Sequence, residues 1–264
     1  MTLSTPLAHR TAKPLEGRVA VVTGATSGLG RRFAHVLSDA GASVALMGRR
    51  ADRLEAECAA IVASGGRAVA IALDVADAAA IGPALDKAEA ALGPLSILVN
   101  NAGVGGEGMA MDISIEDYDQ TFAVNVRGVF FAAREAAKRM IANGEAAAGR
   151  ARIVNIASIM ASTAAPGLSV YSGSKAAVAM LTKSLAREWA RPGIAVNALC
   201  PGYIETEINA HWFKTEGGAK QIKSWPRRRL MEEDVLDEAL LMLAGKAGAA
   251  MTGSLITIDD GQSL

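Results

Sequence analysis

Seven short apolar runs recur along this chain between longer alanine-rich stretches, and that alternation restricts the possible folds more than any other feature of the sequence. The runs are Arg18 to Thr23, Ser43 to Met47, Ala68 to Leu73, Ser96 to Val99, Arg152 to Ala157, Ile194 to Leu199 and Leu255 to Ile258. They are apolar at consecutive positions rather than at every second one. Each therefore needs cover on both faces, as in a parallel sheet with helices above and below. The stretches between them carry helix starts: Asp77 and Ser114 are N-cap candidates, and Glu116, Asp117 and Asp119 stand where the helix dipole favours acids. The pattern predicts an α/β fold, a doubly wound seven-stranded parallel sheet flanked by helices on both faces.

Nothing divides that sheet into separate units. There is no Pro/Ser-rich linker and no internal repeat, and 264 residues can bury a substantial core without disulfides or metals. Residues 1–16, with Pro6, His9, Arg10, Lys13 and Pro14 and no apolar stretch long enough for a signal peptide or a membrane span, read as a flexible N-terminal extension. Residues 17–264 read as one domain, with Asn143 to Arg150 a surface connection and about 203–230 a substrate lid. Lys plus Arg and Asp plus Glu each number 27, so no net field draws the chain to nucleic acid or to a membrane, and a small-molecule partner is expected. Cys58 and Cys200 form neither a disulfide framework nor a zinc pattern, which fits a reducing, cytoplasmic setting. His9, His35 and His211 stand apart from any Asp, Glu or Cys constellation, so no metal and no Ser-His-Asp chemistry is assigned.

The first run leads into Gly24-Ala25-Thr26-Ser27-Gly28-Leu29-Gly30, and a helix pattern follows from Arg31 to Ala40. In such a strand, turn and helix, Gly24 makes the tight turn, Gly28 lets the backbone approach a pyrophosphate, and Gly30 permits close packing while helix N–H groups face the anion. Hydroxyls of Thr26 and Ser27 add possible bonds. Alone, the turn also fits a nucleotide-independent fold or a methyltransferase. It does not stand alone: Asn100-Asn101-Ala102-Gly103 follows the fourth run, Asn125 lies within Val124-Asn125-Val126, and Ser158 follows the fifth run. Tyr171-Ser172-Gly173-Ser174-Lys175 comes next, and Pro201-Gly202 closes the sixth run. With the Thr-Gly-x-x-x-Gly-x-Gly spacing, this ordered set resembles the short-chain dehydrogenase/reductase superfamily in its compact single-domain form, 3-oxoacyl reductase-like, over nearly the whole chain.

The resemblance implies a Rossmann-like fold and an NAD(P)-dependent oxidoreductase acting on a carbonyl or secondary alcohol. Its cofactor site would comprise Gly24, Thr26, Ser27, Gly28, Leu29, Gly30, Asp74, Val75, Asn101, Ala102, Gly103, Tyr171, Lys175, Pro201, Gly202, Ile204 and Thr206. Where an acid would bind a free ribose 2′-hydroxyl, the second run ends in Gly48-Arg49-Arg50. Arg49, helped by Arg50, resembles the arginine that clamps a 2′-phosphate, so NADP(H) is favoured over NAD(H). The alternative is that both arginines only solvate the next helix. Asp74 is either an adenine contact beside Val75 or a helix cap. Asn101 resembles a cofactor contact, whereas Asn100 ties neighbouring strands together. Ile204 and Thr206 stand where relatives bind the carboxamide, which implies pro-S transfer.

Tyr171 and Lys175 are four residues apart in a helix pattern, so both lie on one face. A neighbouring ammonium and the positive nicotinamide would stabilise the phenolate and bring the phenol toward working pH, making Tyr171 an acid/base. The resemblance gives Lys175 a second task on the nicotinamide ribose, Ser158 the holding of the substrate oxygen, and Asn125 a helix kink with a water linking Lys175 to solvent. Gly173, where Ala would be usual, is expected to permit closer approach to the cofactor or a neighbour. The lid's Trp212, Phe213 and Trp225 suit apolar or ring-shaped substrates; its Lys214, Lys220, Lys223 and Arg227 to Arg229 suit an anionic carrier; a merely solvated helix is the third reading. By the same resemblance the apolar helices Ala176 to Leu185 and Phe130 to Met140 imply a homo-oligomer, a dimer or a homotetramer, unless they only cover the sheet. The competing function is a non-catalytic dinucleotide-binding sensor, against which the intact Asn125, Ser158, Tyr171 and Lys175 argue.

Overall fold

The computed structural model describes residues 13–207 and 209–264. Among them, β1 (Val19–Thr23), β2 (Ser43–Gly48), β3 (Arg67–Ala72), β4 (Leu95–Asn100), β5 (Arg152–Ile156), β6 (Ala195–Pro201) and β7 (Leu255–Ile258) form one parallel sheet. Every apolar run of the sequence is a strand. The helices of the described residues are α1 (Gly28–Asp39), α2 (Ala51–Ala63), α3 (Ala78–Leu92), α4 (Ile115–Phe122), α5 (Val129–Ala142), α6 (Ser169–Trp189), α7 (Ala210–Phe213), α8 (Glu216–Ser224) and α9 (Asp237–Ala244).

Continuous apolar strands are explained by what lies on each side. Val19 and Val21 of β1 enter the core under α3, α5 and α6, while Ala20 and Val22 enter the one under α1, α2 and α9. Alanines 132, 133, 136 and 137 form the buried stripe of α5, small enough to bring its backbone close to the sheet. Each large apolar side chain fully buried in these layers contributes about 1.5–3 kcal/mol. The helix starts follow the sequence: the Asp77 carboxylate accepts from the Ala79 and Ala80 N–H groups, and the Ser114 hydroxyl from that of Asp117.

The strand order is β3-β2-β1-β4-β5-β6-β7. The chain thus winds outward from β1 in one direction and then restarts at β4 in the other. Connections leave the two central strands toward opposite faces, and a crevice opens above their carboxyl ends.

Two boundaries differ from the sequence reading. Of the extension 1–16, residues 1–12, with Pro6, His9 and Arg10, lie outside the described residues. Leu15, however, is completely buried, and its N–H donates to the Ala40 carbonyl, so the packed domain already includes this residue. Asn143 to Arg150 is also more than a surface connection. Glu145 and Ala146 are buried there, and Glu145 binds Arg150, whose carbonyl receives the buried Arg18. Arg18 in turn donates to Ser96 at 2.9 Å, so this segment plugs the amino ends of β1 and β4. No helix of the described residues is long and apolar enough to cross a membrane.

Candidate active site

A cleft of about 640 Å³ lies above the reversal of strand order. All the catalytic and cofactor-site residues expected from the sequence line it except Asn125, which sits completely buried behind it.

At one end is the glycine turn. Gly24 and Gly28 have φ of +69° and +48°, the left-handed region where a side chain is strained. A Cβ on Gly30 would run into the Gly24 carbonyl and the Asn101 amide. That amide donates to the carbonyls of Thr23 and Gly24 at 3.0 and 3.3 Å, so Asn101 holds the turn in shape from the next loop. Ser27 is the N-cap of α1 but its side chain makes no cap bond, which leaves first-turn N–H groups available to an anion. The close backbone approach and the uncapped helix fit the pyrophosphate of a dinucleotide.

The two arginines after β2 are not equivalent. Arg50 donates to the Thr26 and Ser27 hydroxyls at 2.7 and 2.8 Å and pairs with Glu207 of the lid at 3.1 Å, a carboxylate it shares with Arg53. Thr26 and Ser27 therefore orient Arg50. Arg49 lines the cleft, is exposed, and has no ion-pair partner among the described residues. The choice left open for Asp74 is decided in part: its carboxylate accepts from the Ala76 N–H at 2.9 Å, while the helix cap is Asp77.

At the other end are Ser158, Tyr171 and Lys175. Ser158 follows β5 and caps a short 3-10 turn through the Met160 N–H. Tyr171 and Lys175 lie near the start of α6, and the ammonium of Lys175 is 5.6 Å from the centre of the Tyr171 ring and donates to the Ile156 carbonyl at 2.8 Å. Between α4 and α5 the backbone forms a π-helical turn over Ala123–Gly128 that contains Asn125. The Asn125 amide accepts from the Val104 N–H and donates to the Val104 carbonyl and the Ser174 hydroxyl, pinning the loop after β4 against α6. Asn100 ties β4 to β5 through Asn155.

Burial dominates the electrostatics of this end. Burial pushes the Tyr171 phenol up to about 12, against the pull of a bond from Ser158, and burial draws Lys175 down to about 8. In the chain without a nicotinamide, withdrawal from water is the largest influence on the phenol. Gly173 departs from expectation. A Cβ there would meet nothing closer than Phe122 at 4.0 Å, and the residue does not line the cleft, so no close approach requires glycine.

The lid begins with Ile204, whose side chain belongs to the core, and Thr206, bonded to Asn209 and set against Gly28. The aromatics divide. Tyr203, not singled out from the sequence, lines the cleft, stacked on Trp225 at 5.0 Å and edge-on to Phe213 at 5.8 Å; Trp212 is turned to the surface. The basic residues of the lid are elsewhere: Lys220 pairs with Glu216, and Arg227 and Arg229 both reach Asp260. Glu107, Met160, Leu168, Glu207 and Asn209 also line the cleft and were missed. For Glu107 a signal existed, a lone carboxylate just beyond the Asn-Asn-Ala-Gly run.

A family model described as short chain dehydrogenase matches residues 18–217. Gluconate 5-dehydrogenase of Gluconobacter oxydans is 34% identical over 97% of this chain and 98% of its own length. D-threitol dehydrogenase of Mycolicibacterium smegmatis is 36% identical over 95% of this chain and 94% of its own. Among solved structures, a short chain dehydrogenase from Burkholderia cenocepacia in complex with NADP superposes with a TM-score of 0.87 at 36% identity, covering 95% of this chain and 100% of that one.

Proposed function

Because this chain belongs to the short-chain dehydrogenase family and is one of its oxidoreductases, we propose that it prefers NADP(H) and moves a hydride between the nicotinamide and a carbonyl or secondary alcohol at Ser158, Tyr171 and Lys175. The observation that carries the reading is one cleft with a glycine cradle and an Arg49 that has no ion-pair partner among the described residues at one end, and those three side chains at the other. The names of its relatives put small polyhydroxylated alcohols and their acids among the candidate substrates.

A nicotinamide held here would supply or accept the hydride and, in its oxidised form, would bring a positive charge that offsets the burial of the phenol. The protein's own groups do the rest. Arg49 binds the 2′-phosphate, with Arg50 beside it; the α1 N–H groups take the pyrophosphate; Asp74 and Val75 flank the adenine. Ser158 donates to the substrate oxygen and stabilises developing alkoxide charge. Tyr171 gives that oxygen a proton in reduction and takes it back in oxidation. Lys175 bonds the ribose and favours the phenolate, and Asn125 positions the loop and helix that frame them. Ile204 and Thr206 orient the carboxamide.

The test is Tyr171→Phe, which keeps the ring and deletes the hydroxyl. NADPH binding, followed by nicotinamide fluorescence, should persist while turnover falls about 100- to 10,000-fold. Near-normal turnover would show the proton travelling by another group. We also assign the chain to the cytoplasm, on its two free thiols Cys58 and Cys200, and to a homo-oligomer, dimer or tetramer, on the exposed Ile115, Tyr118 and Met180 of α4 and α6. Cell fractionation checks the first; a monomer by light scattering at micromolar concentration overturns the second.

A further inference from the structure

The charges lining the cleft are unevenly spread. Arg49, Arg50, Asp74 and Glu207 lie toward the glycine turn and the strand ends β2 and β3. Toward Tyr171, the charged lining residues of the described chain are Lys175, buried and bonded to the Ile156 carbonyl, and Glu107. No Lys or Arg of the lid lines the cleft. Glu107 bends back over Gly105, within 3.8 Å of where a Cβ on that glycine would stand, and its other carboxylate oxygen is 3.8 Å from His211 on α7. Half-exposed, it stands at the mouth of the reacting end and can reach whatever the pocket holds.

Its charge is felt by both phenols of that end. After burial, Glu107 is among the influences that push Tyr171 and Tyr203 upward. A second negative charge placed between Ser158 and Glu107 would be repelled by the carboxylate, and Lys175, the one Lys or Arg of the described residues that lines this end, is buried and already bonded to the Ile156 carbonyl. A hydroxyl there would instead find an acceptor-only group able to take two donors at once, the requirement of a vicinal diol.

Resting on the oxidoreductase reading above, we propose that Glu107 is a substrate-recognising carboxylate that selects an uncharged polyol, accepting bonds from hydroxyls beyond the reacting carbon, and that turns away substrates bearing a carboxylate or phosphate near it. Of the two candidate classes, this enzyme takes the neutral alcohol. Discrimination arises as much from the repelled charge as from the bonded hydroxyl. The preference is opposite to that expected from the basic residues of the lid, none of which lines the cleft.

The experiment compares kcat/KM with NADP+ for D-threitol and D-gluconate in wild type, Glu107→Gln and Glu107→Ala, each checked for unchanged NADPH affinity and Tm. Wild type should favour threitol at least about tenfold, the size of one unfavourable charge contact. Both variants should lose threitol activity mainly through KM and gain on gluconate, shrinking the ratio at least about fivefold. A wild type that prefers gluconate, or a ratio unmoved by either variant, overturns the role of Glu107 and leaves the oxidoreductase assignment intact. Absence of turnover with every alcohol and ketone tried would overturn the proposed function itself, and the inference with it.

Discussion

The two ends of the cleft work by different physics. Toward the glycine turn the charges are in contact with water: Arg49 is exposed, and the side chains of Arg50, Arg53 and Glu207 keep 40%, 46% and 55% of their surface. At the reacting end the corresponding groups are withdrawn: Lys175 is 5% exposed, Ser158 9% and Asn125 not at all. Solvated charges are screened within about 8–10 Å at ordinary salt, so the first end should answer to ionic strength. Buried groups keep their interactions but shift their ionisation, so the second should answer to pH.

The contrast is broken most directly at Arg49. Arg49→Ala should weaken NADP(H) by about 1.5–3 kcal/mol, roughly ten- to a hundredfold, and leave NAD(H) almost unchanged, since only the 2′-phosphate meets that guanidinium. Fluorescence titrations with both cofactors measure it. Raising salt should narrow the wild-type preference and do little in the variant. Equal losses with both cofactors would mean that the arginines merely solvate α2, and the two ends would no longer differ in kind.

A smaller effect sharpens the other side. The folded pKa of Lys175 is drawn by burial from 10.5 down to about 8, so between these values the unfolded chain holds a proton that the folded one has released. Its contribution to stability is present above the unfolded value and is lost as pH falls through about 8. Tyr171 acts in the opposite sense at higher pH: its pKa is raised from 10.0 to about 12, and its contribution is lost as pH rises through that folded value. Urea unfolding at pH 8 and 9.5 isolates the lysine. Wild type should gain about 1–2 kcal/mol more over that interval than Lys175→Met. Parallel responses would place the ammonium in water after all.

What could be read in the sequence follows the same division. The strands were legible because burial on both faces demands unbroken apolar runs, and the glycine turn because Gly24, Gly28 and Gly30 satisfy local backbone demands that any dinucleotide turn shares. Helix spacing puts Tyr171 and Lys175 on one face, and the ordered set of motifs around them singled the pair out. The bonds of Arg50 were not legible, since its environment is made by Thr26 and Ser27 across the sheet and by Glu207, 157 residues away. Neither was the direction of the Tyr171 shift, because burial is decided by the whole surrounding wall and not by a neighbour in the helix. Tyr203 became the aromatic lining of the cleft only through its stacking on Trp225, a contact no local pattern announces.

The order of strands also bears on how the chain comes to its shape. Val19 meets Ser43 on one side and Leu95 on the other. While the protein is being made, one edge of β1 stays open until β2, α2, β3 and α3 have all passed, and that edge belongs to a fully buried Val-Ala-Val-Val-Thr segment. Open apolar edges are templates for pairing with other chains, and a partner so distant along the sequence closes slowly. The reversal that opens a crevice for a ligand therefore leaves the nascent protein with an interior strand half paired, and the wait for β4 is an interval of exposure to aggregation.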